Sequence, residues 1–336
     1  MLTAVLSLVP TLIFALPVTA QKNKKPAAPI GPLLTRTVTR HESRRFFYGG
    51  TVTITGAPNG SITIEGWQRN EVDVSAEIEL HAATEEGLSR LATVNSFVVD
   101  EDANHLRILT TGTHDRAFMK RAARDFPKSL IGLPWRIDYH IKVPALTDLE
   151  INAGVGPIRL AGVEGAIRLN ALQGDANLSL TGGTVSVIVQ SGSVNVSIPA
   201  LGWHGLGADI KLASGNLNIG LMPGFSGDIN AAVLRTGEVR NAYPNLEPRE
   251  RNSITPHSLR ARAGNGGGTL TFTVGDGTIQ IEQISGTSLP REISTLVPEL
   301  TREVLSHGVK AVGSKQIHQK NGNGNSTRRT GHLLAS

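Results

Sequence analysis

No cysteine occurs in the 336 residues. That excludes disulfides, thiolate metal sites, a cysteine nucleophile and a lipid-modified N-terminal cysteine. A chain of this length can bury a sizeable core without such staples. Aromatic residues are scarce at 4%, and no long amphipathic helical pattern dominates. The 39% hydrophobic fraction is mostly Val, Ile, Leu and Ala, beside 37 glycines. Few aromatics, many β-branched residues and many glycines favour short strands joined by tight turns.

Charge is missing from Met1 to Ala20. Val5 to Leu16 reads as the apolar region of a signal peptide, followed by Pro17 and the small-residue site Val18-Thr19-Ala20. The customary Lys or Arg ahead of it is absent. The apolar core is short for a membrane span and is interrupted by Pro10. The expectation is a leader at 1–20 that is cleaved on export, with an uncleaved anchor as the alternative. No other segment reads as a membrane-spanning helix.

The pI of about 9.6 invites a nucleic-acid reading, so the position of the charge matters. Residues 21–45 carry Lys22, Lys24, Lys25, Arg36, Arg40, Arg44 and Arg45 against Glu42, a net of +6. The stretch after Glu303 carries five cations and no acid, a net of +5. The whole chain sums to +5, which leaves 46–303 at −6. A nucleic-acid-binding domain concentrates positive charge on a folded face, so nucleic acid is not an expected partner. Basic ends on an exported protein suit an anionic envelope polymer or membrane surface; the plainer reading is solvated tails.

Residues 21–45 read as a basic Pro/Lys-rich linker. A β-rich region with one short helix is expected over 46–145. Thr51 to Thr55, Ser61 to Glu65 and Glu71 to Leu80 alternate apolar and polar residues, the mark of strands with one buried face. The helix is expected at 84–94, with Thr84 as its cap, Glu85 and Glu86 at its positive end, and Leu88, Leu91 and Val94 on one face. A strand pair follows near 95–110, then a long loop or short helix over 112–134. Trp135 to Val143 alternates again.

Residues 146–285 carry a repeat. Gly156, Gly165, Gly174, Gly183 and Gly192 stand nine apart, and each precedes a short alternating strand. One strand plus one turn at fixed period is the signature of a repeat architecture. A single unit cannot bury its apolar edge, so neighbours stack into a continuous core. The predicted fold is all-β: a Gly-cornered parallel β-solenoid, or β-helix-like repeat region, after the β-rich region. Residues 241–263 read as a surface loop interrupting the series. Residues 286–336 read as a basic, largely disordered tail.

Tyr139 to Pro144, followed by the run in which glycine precedes alternating Ile, Val and Leu, resembles the bacterial putative-adhesin family, a β-strand-repeat domain of unknown function. Gly60 to Trp67, the strand at Val72 to Val74 and the helix at 84–94 agree with it. The resemblance spans roughly 46–285. It implies a repeat fold and no catalytic residues.

Candidate chemistry is thin. Calcium-binding nonapeptide repeats need a second glycine and an aspartate in each unit, and Asp175 stands nearly alone. Polysaccharide lyases and hydrolases need converging carboxylates, whereas Glu164, Asp175, Asp209, Asp228, Glu238, Asp276 and Glu282 are scattered beside turns. Asp138 and His140 share one strand face; a solvated ion pair is the plainer reading than a catalytic dyad. Gly202 to Gly207 lacks the Lys-Ser or Lys-Thr of a phosphate loop. The outward residues Asn177, Ser179, Ser186, Asn195 and Ser197 suit hydrogen bonding to sugars, or a merely hydrated strand face. Trp67, Trp135 and Trp203 suit sugar stacking or the core. No cofactor or metal is expected.

These readings point to an exported, non-catalytic binding or scaffolding module, in periplasm, cell envelope or outside the cell. Its expected partners are envelope polysaccharide, peptidoglycan or another envelope protein. The competing readings are a carbohydrate-active β-helix enzyme and a sensory domain of an envelope-stress system.

Overall fold

Residues 32–123, 125–250 and 253–284 are described in the computed structural model of the chain. The expected leader at 1–20, the first part of the linker and the tail at 286–336 lie outside the described residues. The described residues are all-β apart from two short helices and one 3-10 turn.

The first strands are β1 (Leu34–Arg45), β2 (Thr51–Asn59), β3 (Ile62–Trp67) and β4 (Glu71–Ala82). Helix α1 (Glu85–Val94) begins where expected. Thr84 Oγ1 accepts from the Gly87 amide at 3.1 Å, and Leu88, Leu91 and Val94 are buried. Strands β5 (Ser96–Asp102) and β6 (His105–Thr111) form an antiparallel pair. A second helix, α2 (Arg116–Ala122), follows, capped by Asp115, which accepts from the Ala117 and Phe118 amides at 2.8 and 3.0 Å. Strand β7 (Trp135–Pro144) leads into the repeat.

The repeat holds β8 (Asp148–Val155), β9 (Ile158–Ala161), β10 (Ala166–Gln173), β11 (Ala176–Ser179), β12 (Gly182–Ile198) and β13 (His204–Leu221). Its later part holds β14 (Gly227–Asn241), β15 (Leu246–Pro248), β16 (Ile254–Thr255), β17 (Ser258–Ala263) and β18 (Thr269–Gln283).

Partners in the central part stand 18 residues apart and run parallel. Ile167 faces Leu149 on one side and Val185 on the other. Ala176 likewise faces Ile158 and Val194. The nine-residue glycine spacing is therefore half of a unit: strand, corner, strand, corner. Side chains alternate across each strand, and the inward set, such as Val185, Val187 and Val189 opposite Val194, Val196 and Ile198, is buried.

The glycines consequently fall into two columns. Gly156, Gly174 and Gly192 stack at one corner, Gly165 and Gly183 at the other. Gly174 and Gly192 have φ of 149° and 136°. A Cβ on either would overlap the carbonyl oxygen of the glycine one unit before it. Close backbone approach and a positive φ together explain the residue type.

Spatial order departs from chain order at both ends. β2 sits between β6 and β8, and β3 between β7 and β9. The first unit is thus wedged inside, and no break falls at 145/146. At the other end β18 lies between β13 and β14. The sheet is open: among the described residues β1 is bonded only to β4 and β5 only to β6.

Two expectations are corrected. The linker assigned to 21–45 is a strand over its last twelve residues, antiparallel to β4. Only Val38 packs against the core from it; an exposed Leu34 and the charged Arg36, Arg40, Glu42 and Arg44 occupy the other positions on that face, which hid the alternation. Arg36 pairs with Glu85 at 2.5 Å, and Glu42 holds Arg40 and Arg44 at 3.1 and 2.9 Å. These cations belong to a folded strand, not to a basic arm. The loop expected at 241–263 contains β15, β16 and β17. β17 pairs antiparallel with β14 and buries Leu259, Ala261 and Ala263.

Candidate functional site

Outward residues of the second strand in each unit fall into register. One row runs His140, Thr63, Arg159, Asn177, Asn195, Asn218, Gln280 and Arg240 across seven strand pairings. Parallel strands lie about 4.8 Å apart, so the row repeats at that pitch. Three asparagines at its centre bond head to tail. Asn195 Nδ2 donates to Asn177 Oδ1 at 3.0 Å, and Asn218 Nδ2 donates to Asn195 Oδ1 at 2.8 Å. Each bond consumes one amide N–H and one lone pair of oxygen. A primary amide has two donors and two acceptor sites, so bonding capacity toward solvent remains. Asn177 is exposed and Asn195 half-buried.

Ser179 and Ser197 pair in the adjacent row on the same face. Four of the five sequence candidates therefore converge. Ser186 does not: it lies between Arg168 and Asp209 on the outer face of the first strands. A shorter amide link occurs there, with Asn170 Nδ2 donating to Asn152 Oδ1 at 3.1 Å. Asn218 was missed from sequence because a longer connection after β12 and a register shift between His204 and Gly207 move it from an 18-residue to a 23-residue offset.

The other candidates resolve into structural roles. Asp138 accepts from the Ser61 amide and hydroxyl, both at 2.8 Å, and pairs with Arg136 at 2.8 Å. His140 approaches Glu65 at 3.6 Å rather than Asp138. Asp175 accepts from the Ser193 amide at 3.2 Å, bracing a corner. Trp135 and Trp203 are buried, and Trp203 Nε1 donates to the Gly183 carbonyl at 3.1 Å. Trp67 is half-buried beneath Arg69 and Lys142, at 4.9 and 5.6 Å from its ring. Two cations compete for its ring, which makes it a poor platform for a sugar.

Burial and a 2.8 Å bond with Thr110 surround the Tyr139 hydroxyl, and burial raises its pKa above the ordinary value. Asp228 lies at the other end of the fold. A hydrogen bond from Arg262 at 2.8 Å holds its carboxyl below the usual range, with Arg249 adding to the effect. Among the described residues no group of three or more His, Asp or Glu could hold a metal ion, and no helix is long and apolar enough to cross a membrane.

No protein-family profile and no curated protein sequence matches the chain. Solved structures similar to it include a putative cell adhesion protein from Clostridium sporogenes, at 12% identity and a TM-score of 0.40 over 74% of this chain and 100% of that one. A putative adhesin from Bacteroides fragilis has 14% identity and a TM-score of 0.30 over 74% and 97%. A putative lipid binding protein from Parabacteroides distasonis has 10% identity and a TM-score of 0.21 over 74% and 97%.

Proposed function

We propose that the chain is an exported, non-catalytic surface-binding module whose working face is the asparagine row. We further infer that its parallel 18-residue units wind as a β-solenoid, with the two glycine columns as corners. The observation that carries the functional reading is the head-to-tail amide ladder of Asn177, Asn195 and Asn218. The mutual bonds fix the rotamers of these amide side chains, so little side-chain entropy is lost when a ligand engages them. The remaining donors and acceptors repeat at strand pitch along a straight line. That arrangement suits an extended polymer with regularly spaced hydroxyl or amide groups, such as envelope polysaccharide or the glycan of peptidoglycan. Ser179 and Ser197 add hydroxyls beside it.

The test is co-sedimentation of the full chain with isolated cell envelopes at low and high salt. A variant with Asn177, Asn195 and Asn218 replaced by alanine is run beside it. The expected result is pelleting that survives high salt in the parent and falls at least several-fold in the variant. Pelleting that salt abolishes and the variant retains would assign attachment to charge and reject the asparagine face.

A further inference from the structure

A recess lies on the other outer face, beside β14, β17 and β18. It is a cleft of about 540 Å³, of mixed polar and apolar lining, and its polar residues include Asn230, Arg249, Ser253, Arg260, Thr271 and Thr273. That volume falls within the ~300–1,000 Å³ of small-molecule sites. Thr271, Asn230 and Arg260 are register neighbours on three adjacent strands, so the sheet itself sets their spacing.

Two features of the cleft are not explained by folding. Arg260 forms no ion pair among the described residues, although its side chain lines the cleft. By contrast, Arg249 reaches Asp228 at 3.7 Å and Arg262 binds the same carboxylate at 2.8 Å. Ser253 is 8% exposed, and its hydroxyl has no hydrogen-bond partner among the described residues. A buried hydroxyl without a partner costs stability, and a χ1 rotation is enough to re-aim it. The remaining wall mixes the hydroxyl and amide groups of Asn230, Thr271 and Thr273 with the apolar atoms of Ala232, a lining that suits both the hydroxyls and the carbon framework of a sugar ring.

We propose that this cleft binds an acidic sugar, a hexuronate unit held by its carboxylate on Arg260. The planar guanidinium fork matches a carboxylate with two parallel hydrogen bonds. Ser253, Thr271, Thr273 and Asn230 then meet the ring hydroxyls. Glu250 also lines the cleft. It accepts from a sugar hydroxyl, and its negative charge disfavours a phosphate dianion, which selects the singly charged acid. The site is separate from the asparagine row and does not depend on it.

The experiment is calorimetric titration of the full chain with glucuronate, glucose and inorganic phosphate. Glucuronate is expected to bind at least tenfold more tightly than either of the others. Arg260→Gln should weaken glucuronate at least tenfold. Ser253→Ala should weaken it about threefold or more while leaving the melting temperature unchanged or higher, because it deletes an unpartnered polar group. The alanine variant of Asn177, Asn195 and Asn218 should bind glucuronate as the parent does, which separates this site from the envelope-binding reading. Equal affinity for glucose, equal or tighter affinity for phosphate, no binding of glucuronate, or an Arg260→Gln variant that binds unchanged would each overturn the proposal.

Discussion

Gly192 shows how one residue type is dictated by geometry in this fold. Its backbone sits at φ 136°, and the Gly174 carbonyl occupies the space a Cβ would need. Gly192→Ala therefore meets both backbone strain, about 1–3 kcal/mol, and a clash that only a shift between units relieves. Urea denaturation should register a loss at or above that range. Asn195→Ala is the control: it removes two side-chain hydrogen bonds on an outer face and should cost no more than about 1–2 kcal/mol. Asp228 adds a pH dependence. Its folded pKa is depressed, by the Arg262 hydrogen bond first. Its contribution is therefore present above the unfolded value near ~4 and is lost as pH falls through the folded value. Comparing Asp228→Asn with the parent, the stability gap should be wide at neutral pH and narrow steadily in acid. An unchanged gap down to pH 2 would refute the assignment. The residue types were legible in sequence, since nine-residue glycines mark corners. What was not legible is that alternate glycines belong to different columns, because one glycine looks like another until the strand pairing is known.

At the scale of elements, legibility followed the strength of the local signal. α1 was readable because cap, first-turn acids and apolar stripe all agree, and Thr84 makes the expected bond. β7 was readable from strict alternation. β1 was not. Its inner face carries Arg36, Arg40, Glu42 and Arg44, and only its hydrogen bonds to β4 define it as a strand. Inward-pointing charges are one way a sheet edge is kept from pairing with another chain. Arg40 also lies over the Phe97 ring at 5.1 Å and donates to the Phe97 carbonyl at 3.2 Å, covering the core beneath the edge. Replacing Arg36, Arg40 and Arg44 together with valine should leave the strand in place but turn the edge adhesive. Sedimentation velocity should then show concentration-dependent dimers or larger species where the parent shows none beyond its own baseline. The asparagine row was half legible for a related reason. Asn177 and Asn195 share a visible offset, while the longer connection before β13 moves Asn218 out of period without moving it out of register.

At the scale of the molecule, sequence order and spatial order disagree, and repetition is the cause. The units present similar inward runs rich in Val, Ile and Leu, so the pattern states that units stack and is silent on which stacks beside which. β18 pairs along fourteen residues with β13 and along twelve with β14. It is the last strand described yet an interior one, buried through Leu270, Phe272, Val274, Ile279 and Ile281. Ending the chain at Asn265 would remove an inner layer and leave two facing edges whose side chains were never arranged to meet. Omitting the residues up to Arg45 instead removes an edge strand that contributes one apolar contact to the core, at Val38. In a repeat array whose stability is a sum of neighbour interfaces, the first change deletes two interfaces and breaks continuity, and the second deletes one at the rim. The chain shortened at Asn265 should lose cooperative thermal unfolding by circular dichroism, or fail to stay in solution. The chain lacking β1 should still unfold in one transition, at a lower temperature. If both behave alike, β18 is not the keystone that its pairing makes it, and the terminal units fold independently of the rest.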